Sequence, residues 1–80
     1  MTEQAIIEKV NTLLADEFEI EAAALTPEAT LKDDLEFDSL DFVDIVVLID
    51  SEFGFKPQEG ELKRVTTLQD LYNYISAHVG

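Results

Sequence analysis

Cysteine is absent from the chain, which removes both a disulfide framework and thiolate metal ligation. Histidine is nearly absent: His78 stands alone close to the C-terminal end, and no pattern sets it beside a serine that it could activate. It reads as an exposed helix-terminal residue interacting with the helix dipole. Basic residues are scarce, five Lys and Arg against eighteen Asp and Glu, for a formal net charge of −13. Such a field repels nucleic acid and anionic membrane surfaces and favours basic partners. Long apolar runs are missing too. The richest, Phe42 to Ile49, is interrupted by Asp44 and falls far short of the ~20 residues that span a bilayer. No charged segment followed by an apolar stretch and a small-residue cleavage site opens the chain, so cytoplasmic residence is the expectation.

What is present fits one small domain, residues 1–80, with 46% hydrophobic content. A chain of this size buries only about 60% of the surface its unfolded form exposes, so a deep catalytic cleft would compete with the core for the same side chains. Size favours a binding or carrier module over an enzyme. The acids are also clustered. Asp33, Asp34, Glu36, Asp38, Asp41, Asp44, Asp50 and Glu52 follow one another without a Lys or Arg between them, while Lys9, Lys32, Lys56, Lys63 and Arg64 lie elsewhere along the chain. No pair of carboxylates is visibly sequestered in an apolar setting, as a general acid requires. The stretch Asp33 to Asp38 lacks the alternating ligands, sixth-position Gly and terminal Glu of a calcium loop, so no metal site is expected.

Hydrophobic spacing predicts an all-α chain: a small antiparallel bundle of three main helices and one short helix, with a long loop between the first and second. Thr2 caps a first helix over about 3–17, carrying Ile6, Ile7, Val10, Leu13, Leu14 and Phe18 on one face. From Glu19 to Phe37 no period holds, apart from a possible helical turn at Ala22 to Ala24, and Leu25, Leu31 and Leu35 are the expected anchors. A second helix starts at Asp38 or Ser39, with Asp41 closing a capping box, and stops at Phe53 before Gly54 and Pro57. Its β-branched residues also suit a buried strand, but its length and clean end signals favour a helix. Steps of roughly 100° put Phe42, Val43, Ile45, Val46, Ile49 and Phe53 on a core face. Asp41, Asp44, Ser51 and Glu52 fall opposite, with Leu48 among them and Leu40 and Val47 at the border. A turn around Leu62 precedes a last helix, capped by Thr67 with Asp70, that runs to about Ala77 and directs Leu68, Leu71, Tyr72 and Ile75 inward.

Ser39 is the residue of interest within Leu35-Glu36-Phe37-Asp38-Ser39-Leu40-Asp41. In the first helical turn its hydroxyl lies outside the core, where free backbone amides and the positive helix end would accommodate a phosphodiester. A plain helix-start serine has the same local signature.

The whole pattern, LKDDLEFDSLDFVDIVVLIDSEFGF followed by VTTLQDLYNYI, resembles the acyl carrier proteins over nearly the full chain. Leu35, Val43, Glu52-Phe53, Thr66-Thr67 and Tyr74-Ile75 match at the family's spacing around Asp-Ser-Leu. The resemblance implies 4′-phosphopantetheine, donated by coenzyme A, on Ser39, its thiol holding acyl groups as thioesters between enzymes of fatty-acid, polyketide or related acyl biosynthesis. It implies a monomeric substrate protein that is not a catalyst, served by a phosphopantetheinyl transferase and by acyl-transfer and ketosynthase-type enzymes with basic docking grooves. Asp38, Leu40, Asp41, Asp44, Val47, Leu48 and Asp50 would meet those grooves. Phe42, Val43, Ile49 and Leu62 would line an acyl pocket. Two readings stand beside this one: an aminoacyl or peptidyl carrier of the same bundle, and an unmodified acidic interaction module that has no need of Ser39. The chain departs from the common family pattern at Glu36, where Gly is frequent, at Phe37, and at Phe42, where a small residue such as Thr is frequent. These departures imply a rerouted approach to Ser39 and a narrowed, aromatic-lined cavity suited to a specialised pathway.

Overall fold

The three long helices begin where a side chain satisfies an unpaired amide of the first turn. In the computed structural model, which describes residues 2–79, Thr2 accepts a hydrogen bond from the Ala5 amide at 3.1 Å and starts α1, Glu3–Phe18. A single 3-10 turn follows at Ala22–Ala24. Asp38 and Asp41 open α2, Ser39–Phe53, which ends on Gly54 with a left-handed φ of 79°, a conformation glycine adopts without a Cβ penalty. The four-residue α3, Glu59–Leu62, leads to α4, Leu68–Val79, whose start is boxed by Thr67 and Asp70. The all-helical expectation thus holds, with helix ends displaced by no more than a turn. No helix among the described residues is long and apolar enough to cross a membrane.

α1 packs chiefly on α4, and α2 on α3. Between them lies one core in which Ile6, Leu31, Ile45, Leu62, Leu68, Leu71, Tyr72 and Ile75 are almost wholly withdrawn from water. The buried Tyr72 hydroxyl donates to Asn11 Oδ1, tying α4 to α1 and sparing the phenol an unpaired buried oxygen. Burial nevertheless raises the Tyr72 pKa above its ordinary value, a shift the Asn11 hydrogen bond partly opposes.

The loop from Glu19 to Phe37 is far more ordered than its lack of sequence period suggests. Leu25, Ala29, Leu31 and Phe37 are buried, and Leu35 packs partly buried against the core. Thr30 and Asp34 hydrogen-bond reciprocally, side chain to amide, at 3.0 Å and 2.8 Å. An isolated antiparallel bridge joins Thr30 to Thr67. Around it the Leu31 amide donates to the Thr66 carbonyl at 2.9 Å, and the Leu68 amide to the Ala29 carbonyl at 3.0 Å. The loop is therefore laid across the α3–α4 connection, and the chain then turns back to reach α2.

Two expectations for α2 fail. Val43, placed with the core, is 45% exposed, and Leu48, placed on the outer face, is half-buried. Val43 borders an open groove with Lys56, Pro57 and Gln58 of the connection to α3, which leaves it uncovered, whereas Leu48 lines the seam with Val10, Leu13 and Leu14 of α1.

Candidate functional site

Asp38 has extended backbone, and its carboxylate accepts from the Asp41 amide at 3.0 Å, while the Asp41 carboxylate accepts from the Asp38 amide at 3.1 Å. This reciprocal box fixes the first turn of α2, and Ser39 is the first residue inside it. Its side chain is exposed. The amides of Ser39 and Leu40 precede the intrahelical ladder, so the positive end of the helix faces the hydroxyl.

The approach to the serine is set by two neighbours. Phe37 is buried and sits between two rings, 4.9 Å from Phe18 and 6.4 Å from Phe42, the latter edge to face. Its amide donates to the Leu31 carbonyl at 2.8 Å. Before it, Glu36 takes a left-handed φ of 57°. The backbone here takes a conformation that glycine would favour, and Glu36 carries the strain.

A cleft of about 290 Å³ opens beside Ser39, lined by Lys32, Asp38, Ser39, Phe42 and Lys63. The expectation of an acidic field without nearby cations holds along the sequence but not in space. The Thr30–Thr67 bridge draws the loop carrying Lys32 and the segment carrying Lys63 together against the start of α2. Nothing in the local sequence signals this. A pairing of residues 30 and 67 would have been the clue.

Leu40 and Val47, 75% and 61% exposed, stand with exposed Asp38, Asp44 and Asp50 on the outer side of α2. Asp41 is half-buried in its capping role, and Glu52 reaches Lys9 at 3.5 Å. The proposed pocket residues are dispersed. Phe42 lines the cleft at Ser39, and Ile49 borders a void of about 10 Å³ between α1, α2 and α4. Leu62 is in the core, and Val43 borders an open groove with Val46, Val47, Lys56, Pro57 and Gln58. The void has room for about one water molecule, so this point among the described residues is not already shaped for an acyl chain.

His78 is exposed, but it is more than a fraying end. Its Nδ1 lies 2.9 Å from the Tyr74 carbonyl, and its ring stacks on Phe55 at 4.5 Å with a 4° tilt. Tyr74 in turn donates to Glu61 at 2.9 Å and accepts from the Gln58 amide at 3.4 Å. His78 thus belongs to an aromatic latch holding the α2–α3 connection to α4.

The fit to a phosphate-linked group is good: an exposed hydroxyl at a capped helix start, with two lysines on the same cleft. The family model for the phosphopantetheine attachment site matches residues 8–75. The chain is 32% identical over 80 residues to the acyl carrier protein of Lactobacillus acidophilus, covering 100% of both chains. It is 36% identical to that of Thermotoga maritima, covering 96% of this chain and 95% of the relative. The solved structure of the thermally stable acyl carrier protein from Enterococcus faecalis superposes with a TM-score of 0.78 at 28% identity, covering 96% of this chain and 98% of that one. A capped, exposed serine in a helical bundle, within a full-length match of this kind, shows that the chain belongs to the acyl carrier proteins, the family defined by a phosphopantetheine attachment site.

Proposed function

We propose that Ser39 is the attachment residue and that the chain carries acyl groups between separate biosynthetic enzymes. The observation that carries this reading is the exposed Ser39 hydroxyl on the first turn of a boxed helix, inside the matched segment. In the loading step Ser39 Oγ forms a new bond to phosphorus as the diphosphate bond of coenzyme A breaks. Adenosine 3′,5′-bisphosphate departs, and the transferase takes the hydroxyl proton. Once attached, the arm supplies the thiol that this cysteine-free chain lacks, and it holds acyl groups as thioesters.

Acyl carrier proteins are carriers rather than catalysts, and the molecule has the surface of a substrate protein. Asp38, Asp44 and Asp50 steer a basic partner to α2, while exposed Leu40 and Val47, with Val43, supply apolar contact at its centre. Transferases and acyl-transfer or ketosynthase-type enzymes are the partners this chemistry suits. Asp41 and Leu48 contribute less to docking, since one is engaged by the cap and the other packs toward α1.

Incubation of the apo protein with coenzyme A and a broad-specificity phosphopantetheinyl transferase tests the assignment by intact mass. One phosphopantetheine is expected on the wild type and none on Ser39→Ala. An equal increment on both would overturn it.

A further inference from the structure

We propose that Lys32 and Lys63 form a two-point cationic seat for the phosphodiester on Ser39, an inference that rests on Ser39 being the attachment residue. In a chain with eighteen acidic and five basic residues, two of the five line a cleft that includes Ser39. Lys9, by contrast, is not among the lining residues of this cleft and pairs with Glu52.

Their convergence is built by the backbone. Lys32 directly follows Leu31, whose amide donates to Thr66, and it opens the turn in which the Asp34 and Leu35 amides both donate to the Thr30 carbonyl at 3.1 Å and 3.0 Å. Lys63 directly follows α3 and precedes Val65, whose amide donates to the Leu62 carbonyl at 3.0 Å. Both lysines thus stand on hydrogen-bonded turns, one from each side of the Thr30–Thr67 bridge.

The electrostatics give the pair a purpose. Loading adds a negative charge to a molecule already at −13, directly beside Asp38. Without nearby cations that addition is repulsive. Two lysines on the same cleft can bring their ammonium groups to it and offset that charge, and because both are exposed the effect is short-ranged and weakens with salt. The same two lysines also line an adjoining cleft of about 220 Å³ with Thr30, Asp33, Val65 and Thr66. The first part of the arm can therefore lie along a second cleft that shares both lysines.

The test compares purified apo and loaded protein. Intact mass first establishes one phosphopantetheine on the wild type and none on Ser39→Ala. In wild-type protein, loading should shift the side-chain Cε and Hε resonances of Lys32 and Lys63 while those of Lys9 and Lys56 stay in place. Melting temperatures then give the difference between loaded and apo forms at low and high salt. Lys32→Gln/Lys63→Gln should lower that difference by roughly 4 °C at low salt and by little at high salt. Lys9→Gln/Lys56→Gln, with the same change in net charge, should leave it unaltered. Unmoved Lys32 and Lys63 resonances, or equal effects of the two double variants, would overturn the seat with the attachment intact. A missing mass increment on wild type would overturn the attachment itself.

Discussion

Replacing Glu36 with glycine should stabilise the protein although it removes a side chain. Glu36 holds a left-handed φ of 57°, where a Cβ crowds the following carbonyl at a cost of about 1–2 kcal/mol. Glycine relieves that cost but gives back roughly 0.5–1 kcal/mol through the greater freedom of its unfolded chain. The net expectation lies within about 0–1.5 kcal/mol of stabilisation, and its centre near 0.75 kcal/mol raises the melting temperature of a domain of this size by roughly 3–6 °C. Glu36→Ala separates backbone from charge, since it removes the carboxylate near Asp34 and Asp38 while keeping the Cβ. Chemical denaturation and thermal melting of the three proteins should show Glu36→Gly above both wild type and Glu36→Ala. If alanine stabilises as much as glycine, acidic repulsion and not backbone strain governs this position.

Removing the Asp38 cap with Asp38→Ala should cost about 1 kcal/mol, read by urea denaturation, and should weaken amide protection at Asp41. Phe37→Ala removes a buried ring held between Phe18 and Phe42 and should cost about 3–5 kcal/mol, enough to leave the variant largely unfolded in a melting scan. Val43→Thr tests the exposed placement of that residue: a change within about 0.5 kcal/mol is expected, whereas a core position would lose more. The raised pKa of Tyr72 favours the neutral phenol in the folded state, so its stabilising effect is complete below the ordinary value of 10.0 and is lost as pH rises through the higher folded-state value. Urea midpoints between about pH 9 and 11 should fall for the wild type and flatten in Tyr72→Phe, with a remaining slope from Tyr74, which is shifted the same way.

Helix starts were legible in the sequence because their causes are local. Thr2, the Asp38–Asp41 box and the Thr67–Asp70 box each act within one turn, and all three appear as read. The position of Ser39 follows from the same signal. Val43 and Leu48 were misplaced because a helical wheel gives the angle of a residue but not the length of the helix that will cover it. The connection after α2 leaves the groove at Val43 open, while α1 is long enough to receive Leu48. The loop before Ser39 and the approach of Lys32 and Lys63 depend on backbone bonds between distant segments, to which no periodicity points. Glu36 was legible as a misfit, but not in how it is resolved. The strained geometry persists because the Phe37 amide is held on the Leu31 carbonyl and its ring is buried.

The bridge between Thr30 and Thr67 also bears on how the molecule opens. The Leu31, Leu68 and Gln69 amides all donate across it, to Thr66, Ala29 and Pro27. The segment leading to Ser39 therefore cannot lift away without freeing the first turn of α4, and these two regions form one cooperative unit. In deuterated solvent their amides should exchange together, at a rate set by the release of α4 and not by the looser breathing expected of a surface loop.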